Sequence, residues 1–536
     1  MSRLRRIATS VLVVAGLTLS GCSSASTPSA SSGSATGSTR GGSGPGSAGT
    51  PPSGDAAAAP VLQPLPAAVP ADLQSYYQQR LVWSSCDNGF QCATMKVPLD
   101  YSDPAAGDIT LGLSRSQAAG HGYKRLGSLL INPGGPGGSA VQYAEYAAQT
   151  YPAPVRDAYD IVGLDPRGVG RSTPVSCLSN QQMDAFTAVD TTPTSTAQVD
   201  ALVAADKSFA EGCEKLSGKL LAHVSTVDAA RDMDVARALL GDAKLNYLGK
   251  SYGTFLGATY AGLFPSRVGH MVLDGAMNPS LTAFQLDSQQ AGGFETAFNA
   301  FARDCVTHSG CPLGRADAEA DNRLDTLFTS LNAKPLPTGQ SRNLDEALGM
   351  TGVIAAMYDQ EQWPQLRAAL SQAEQGNGAG LLALSDQYYE RDPSGQYSNL
   401  MYANAAVDCL DLPTAAADPK QVEQQLPTYE AASPQFGASL AWSGLTCAYW
   451  PVKATGTPHT IPAGGAAPIL VVGTTRDPAT PYAWAQALAA QLDSGTLLTY
   501  NGDGHTAYAR GSSCIDSAVN TYLLTGRPPA KNTICQ

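Results

Sequence analysis

The chain has 536 residues, 43% of them hydrophobic, with 33 basic against 45 acidic side chains and a formal net charge of −12. That length can bury a sizeable core without help from a metal or partner, and an acidic balance with no basic stripe excludes nucleic-acid binding. Eleven cysteines with no Cys-x-x-Cys pair and no His-x-x-x-His spacing favour disulfides in an oxidising compartment over metal ligation, and no cofactor is expected.

Arg3, Arg5 and Arg6 precede an apolar run from Ile7 to Leu19 that is short for a membrane span, the pattern of an export signal. Leu19-Ser-Gly-Cys22 resembles the bacterial lipoprotein signal, which implies removal of residues 1–21 and lipidation of Cys22; a plain secretory signal with a chance cysteine is the alternative. Removing that segment takes away three arginines and no acid, so the mature chain is more acidic still. It would sit outside the cytoplasmic membrane, touching lipid only through its anchor, and as a monomer. Residues 22–70 begin with a stretch of Ser, Gly, Ala, Thr and Pro that cannot bury enough apolar surface to order itself, and they read as a flexible tether. With Cys22 set aside, ten cysteines remain. The working expectation is nearest-neighbour pairing: Cys86 with Cys92, Cys177 with Cys213, Cys305 with Cys311, Cys409 with Cys447, and Cys514 with Cys535.

Residues 71–278 read as the first part of an α/β core. A cysteine-closed loop leads into a strand that ends near Pro98, and Asp108 to Leu113 forms a second short strand. Gly127 to Asn132 is a continuous apolar run, as expected of a strand buried on both faces of a parallel sheet. It ends in Pro133-Gly-Gly-Pro-Gly-Gly-Ser139, whose glycines let backbone N–H groups converge on one spot. A phosphate cradle is the rival reading, and the Lys-Ser/Thr ending of a P-loop is missing. A further strand enters Asp165-Pro-Arg-Gly-Val-Gly-Arg-Ser172, where the polar side chains brace loops. Residues 180–240 are mostly helical, Leu245 to Gly249 is a strand, and Arg267 to Asp274 is another.

The pattern changes at residue 279. Phe294, Phe298 and Phe301, then Leu324, Leu327, Phe328 and Leu331, then Trp363, Leu366 and Leu370 repeat every three to four residues with no strands between them. Residues 279–453 are therefore expected to form a helical cap inserted over the mouth of the sheet. Strand pattern returns in 454–536, at Pro468 to Gly473 and Thr496 to Asn501. The predicted fold is α/β, a mainly parallel doubly wound sheet with an inserted helical cap.

Gly249-Lys-Ser251-Tyr-Gly253 lies between a strand and a helical stripe of Phe255, Leu256, Tyr260, Leu263 and Phe264. This is the context of a nucleophile elbow, in which a serine stands on a tight strand-to-helix turn. Serine needs a base, and the base needs an orienting carboxylate. Among six histidines only His505 follows an apolar strand and a Gly-x-Gly turn near the chain end. Asp477 ends the strand before it, giving the chain order Ser, Asp, His; Asp274, which also ends a strand, is the competing acid. Tyr252 N–H and a donor from Gly134 or Gly135 would hold the oxyanion.

Asn132 to Ser139, Asp165 to Ser172, Gly249 to Gly253, Asp477-Pro-Ala-Thr-Pro481 and Gly504-His505 together resemble secreted tripeptidyl-aminopeptidase-like serine peptidases of actinobacteria, relatives of proline iminopeptidase within the α/β-hydrolases. The resemblance covers residues 80–536. It implies release of short peptides from free N-termini, with a cap acid holding the substrate amine, for which Asp408 and Asp411 are candidates. An esterase or lipase with the same triad, and a binding lipoprotein without activity, remain the other readings.

Overall fold

The computed structural model describes residues 62–86 and 89–536, which belong to the compact unit Ala59–Gln536. The expected signal 1–21, Cys22 and the Ser/Gly-rich stretch up to residue 61 lie outside the described residues.

Ten strands form one sheet among the described residues: β1 (Ser84–Ser85), β2 (Gln91–Pro98), β3 (Asp108–Ser116), β4 (Gly127–Asn132), β5 (Tyr159–Leu164), β6 (Leu245–Lys250), β7 (Val268–Asp274), β8 (Ile469–Arg476), β9 (Gly495–Asp503) and β10 (Thr533–Cys535). They are ordered β1-β2-β3-β5-β4-β6-β7-β8-β9-β10. The β1–β2, β2–β3 and β3–β5 pairs are antiparallel and all later pairs parallel, so the sheet is mainly parallel, as expected. β4 and β5 are buried at every residue, which is why they read as unbroken apolar runs. Successive side chains alternate between two cores. Leu130, Tyr247, Leu273 and Val471 fill one face of the sheet, and Leu129, Ile131, Leu248, Val272 and Leu470 fill the other.

The first departure from expectation is at the amino-terminal side. The tether expected to reach residue 70 gives way by Leu62, because Leu62 and Leu65 pack against the core and Leu65 N–H donates to Leu263 O at 2.8 Å. The other is β10, three residues long and too short for any periodicity, which pairs with β9 and is tied by the Cys514–Cys535 disulfide.

In the insert, the helices Ala283–Cys305, Ala320–Ala333 and Trp363–Glu374 pack the predicted stripes, with the helices Glu346–Met357 and Ala379–Tyr388, into a core of their own, built on Phe294, Phe298, Phe301, Leu324, Leu331, Trp363, Leu366 and Leu370. The helix Leu400–Asp411 behaves differently. It buries Tyr402, Ala406, Val407 and Leu410 in the same core as the sheet. All ten cysteines among the described residues pair with their nearest neighbours in sequence, as anticipated.

Candidate active site

β6 ends one residue before Ser251, which opens the helix Tyr252–Leu263. The turn is possible only because both flanking glycines lack a side chain: a Cβ on Gly249 would stand 2.2 Å from Gly253 O, and one on Gly253 would stand 2.8 Å from Asn132 Oδ1. Ser251 itself takes φ 56°, ψ −127°, a conformation that few residues other than glycine adopt. Its N–H is held by Asp274 O at 3.0 Å, and its side chain does not cap the helix.

Asp477 follows β8 and His505 follows β9. His505 Nδ1 lies 2.8 Å from Asp477 Oδ1 and 3.0 Å from Oδ2. The carboxylate is 2% exposed and also accepts from the N–H groups of Ala479 (3.0 Å), Thr480 (2.9 Å) and Thr506 (3.3 Å), and from Thr480 Oγ1 (3.0 Å). A carboxylate can only accept, so the imidazole proton sits on Nδ1 and Nε2 is left with its lone pair. Nε2 is buried and bonds to no protein group. β7 brings the serine and the histidine together: Asp274 O holds Ser251 N–H, while a Cβ on the next residue, Gly275, would stand 3.1 Å from His505 Cε1.

Asp274, the competing acid, has other work. It is fully buried, and its carboxylate accepts from Ala507 N–H (2.9 Å) and Tyr508 N–H (3.0 Å), with Lys250 Nζ at 3.9 Å. Burial pushes its carboxyl upward, opposed by Lys250 and these donors. It ties the loop after His505 to the elbow and makes no hydrogen bond to the imidazole.

The glycine-rich loop after β4 lies directly over the elbow, since a Cβ on Gly134 would meet Lys250 O at 2.5 Å and Ser251 Cβ at 2.7 Å. Gly134 N–H is already committed to Asn132 Oδ1 at 2.9 Å. Gly135 is exposed, at φ 113°. Neither its N–H nor that of Tyr252 meets an acceptor among the described residues, and Tyr252 N is 3.1 Å from the place a Gly134 Cβ would take. Of the two loop donors left open by sequence, Gly135 is therefore the available one.

Cap residues form the wall opposite. Tyr358 accepts from His505 N–H through its carbonyl at 2.8 Å, and its ring meets the imidazole edge-on at 5.4 Å. The two candidate amine-binding acids separate here. Asp411 is engaged, accepting from both the N–H and Oγ1 of Thr226, whose hydroxyl also meets Tyr252 Oη. Asp408 makes no hydrogen bond or ion pair with a described residue. Asp408 is exposed, and the protein packed around it, then Asp411 and Asp287, push its carboxyl upward. Asp287, on the cap helix Ala283–Cys305, is likewise unpaired and is pushed up to about 7 by burial. Burial also takes Asp411 to about 7, against the pull of Thr226.

Tyr358, Thr226, Thr480, Asp287 and Asn404 are drawn to this site and were not singled out from sequence. The i, i+4, i+7 spacing of Asn404, Asp408 and Asp411 in an otherwise apolar helix was the readable signal for one of them; Asp287 carries none. Among the described residues no group of three acidic, histidine or cysteine side chains could hold a metal ion.

A family model described as TAP-like protein matches residues 433–535, the part that carries Asp477 and His505. Over 477 residues the chain is 39% identical to serine protease Hip1 of Mycobacterium tuberculosis (strain ATCC 25618 / H37Rv), covering 85% of this chain and 91% of that protein. It is 38% identical over 504 residues to carboxylesterase B of the same organism, covering 90% and 92%. It is 35% identical over 465 residues to tripeptidyl aminopeptidase of Streptomyces lividans, covering 83% of each. With a mainly parallel sheet, a serine on a strained elbow and relatives matched over most of their length, the chain belongs to the tripeptidyl-aminopeptidase-like family of α/β-hydrolase serine peptidases.

Proposed function

We propose that this enzyme is an exported, lipid-anchored aminopeptidase that releases short peptides, tripeptides foremost, from free N-termini. Ser251 is the nucleophile, His505 the general base and then acid, and Asp477 the orienting carboxylate. Ser251 Oγ attacks the scissile carbonyl while His505 Nε2 takes its proton, and the oxyanion that forms accepts from Gly135 and Tyr252 N–H. The imidazolium, stabilised by Asp477, returns the proton to the leaving amine as the C–N bond breaks. Water then attacks the acyl-enzyme by the same route, regenerating the serine.

The observation that carries the exopeptidase reading is the carboxylate of Asp408, unpaired among the described residues, close enough to Asp287 and to Tyr252, the residue after the nucleophile, for their charges to be felt. A carboxylate without a protein partner beside the nucleophile is open to a cation, and the substrate ammonium supplies one. Asp411, bound to Thr226, supports Tyr252 from behind and serves the amine only at a distance. The lipid anchor at Cys22 rests on the sequence pattern alone.

A relative named carboxylesterase B favours a second reading, an esterase with the same acyl chemistry. Hydrolysis of a fluorogenic tripeptide amide beside a short acyl ester, by the wild type and by Ser251→Ala, Asp477→Ala and Asp274→Ala, tests both. The proposal expects amide cleavage that Ser251→Ala and Asp477→Ala each reduce by about 10⁴-fold or more. Ester cleavage without amide cleavage would make the enzyme an esterase, and loss of activity confined to Asp274→Ala would move the acid.

A further inference from the structure

The helix Leu400–Asp411 presents Asn404, Asp408 and Asp411 on one stripe, opposite the side that buries Tyr402, Ala406, Cys409 and Leu410 in the core of the sheet. Asp408 and Asp411 have places in the reading above; Asn404 does not. Its Nδ2 donates to Pro136 O at 3.3 Å, in the middle of the glycine-rich loop and one residue beyond the proposed oxyanion donor. The loop seats directly on the helix at this point. A Cβ on Gly137, at φ 101°, would stand 2.4 Å from Leu400 O and 3.1 Å from Asn404 N, so only glycine permits the contact.

The ends of the loop have other anchors. Asn132 Oδ1 holds Gly134 N–H at the start. At the finish, Asp165 accepts from Ser139 Oγ (2.8 Å) and Val141 N–H (2.9 Å). The same helix is pinned through the residue before it, since Asn399 accepts from Gly170 N–H (2.9 Å) and donates to Gly168 O (2.8 Å) and Val175 O (3.2 Å), on the turn that bears Asp165. Among the described residues, the side-chain hydrogen bond to the span between Gly135 and Gly138 is the one from Asn404.

The geometry points to Asn404 as a positioning residue that aims Gly135 N–H at the developing oxyanion, so that the helix Leu400–Asp411 contributes to transition-state stabilisation as well as to substrate recognition. This rests on the Ser251 reading of the site. Oxyanion donors act only when placed within a few tenths of an ångström, and a loop free to drift by an ångström loses much of their effect. A group acting on the transition state alone lowers kcat and leaves KM in place.

The test uses the full-length enzyme and the variants Asn404→Asp, which keeps the shape and removes the donor, and Asn404→Ala. Steady-state kinetics on a tripeptide amide are read beside the rate at which a fluorophosphonate labels Ser251, because the phosphonyl oxygen enters the same hole. We expect kcat and the labelling rate to fall together by about tenfold or more, with KM within about twofold and the thermal transition close to that of the wild type. Unchanged kcat, or a rise in KM alone, would overturn the proposal. Ser251→Ala in the same assay separates the two levels. Turnover lost in Ser251→Ala but intact in both Asn404 variants overturns the clamp alone, whereas turnover that survives Ser251→Ala overturns the site and the clamp with it.

Discussion

Ser251 is held at φ 56° by the turn around it, and a side chain in that region costs about 1–3 kcal/mol. Ser251→Gly should therefore unfold later than Ser251→Ala by about 1 kcal/mol, although both are inactive; equal stabilities in urea titrations would show that the elbow stores no strain. Thr480 is a second residue whose effect follows from contacts. Its hydroxyl donates to Asp477 Oδ2 and lies 3.3 Å from His505 Nδ1, so it fixes the carboxylate that fixes the imidazole. Thr480→Val should lower kcat by about tenfold or more with KM little changed, and Thr480→Ser should restore most of it; a Val variant of full activity would contradict this. At this scale the sequence was informative where chemistry depends on a local turn. Ser251, Asp477 and His505 each stand just past an apolar strand, and such a position can be read from neighbours. Asp287 and Asn404 could not be read that way, because what matters about them is which distant loop they face. The choice between Gly134 and Gly135 likewise turned on a side chain, Asn132, that claims one of the two N–H groups.

At the level of elements, the candidate site is made by loops at the carboxyl ends of β4, β6, β8 and β9, with β7 and Asp274 tying the elbow to the histidine loop. Asp274→Asn should keep measurable turnover and lose about 2–3 kcal/mol of stability, since the amide satisfies the Ala507 and Tyr508 N–H groups less well and leaves Lys250 without its charge partner. The proposed amine site predicts a pH dependence. Burial holds Asp287 and Asp411 near 7 and raises Asp408, so these acids gain negative charge as pH rises through about 7, while an α-ammonium keeps its proton to about 8. KM for a free N-terminus should fall as pH rises from 6 to about 7.5, and KM for an N-acetylated twin should not. The strands were legible because buried parallel strands are unbroken apolar runs, and the cap helices because their stripes repeat. That the helix Leu400–Asp411 belongs with the core of the sheet was not legible: its neighbours in sequence are cap helices, and its partners Thr226 and Pro136 lie far away along the chain.

For the whole molecule, five disulfides and a set of buried acids shape the response to conditions. The Cys409–Cys447 bridge spans 38 residues and fastens the helix Leu400–Asp411, so its loss should cost about 3 kcal/mol and should damage catalysis as well as stability. Asp206, Asp287, Asp411 and Glu346 are each pushed up to about 7 by burial. Their folded pKa values exceed the unfolded ones, so the folded state holds more protons between about pH 4 and 7, and the stability these groups contribute declines as pH rises across that window. Urea midpoints should be higher at pH 5 than at pH 8, and Asp206→Asn should flatten the difference; a midpoint independent of pH would contradict it. The central claim is that a serine peptidase site is coupled to a carboxylate that recognises the free amine of the substrate. Its most direct test is the ratio of kcat/KM for a tripeptide amide to that for its N-acetylated twin, in the wild type and in Asp408→Asn. We predict a large ratio in the wild type that falls by about tenfold or more in Asp408→Asn, through KM and with kcat nearly unchanged. A wild-type ratio near one, or a ratio untouched by Asp408→Asn, would contradict the account.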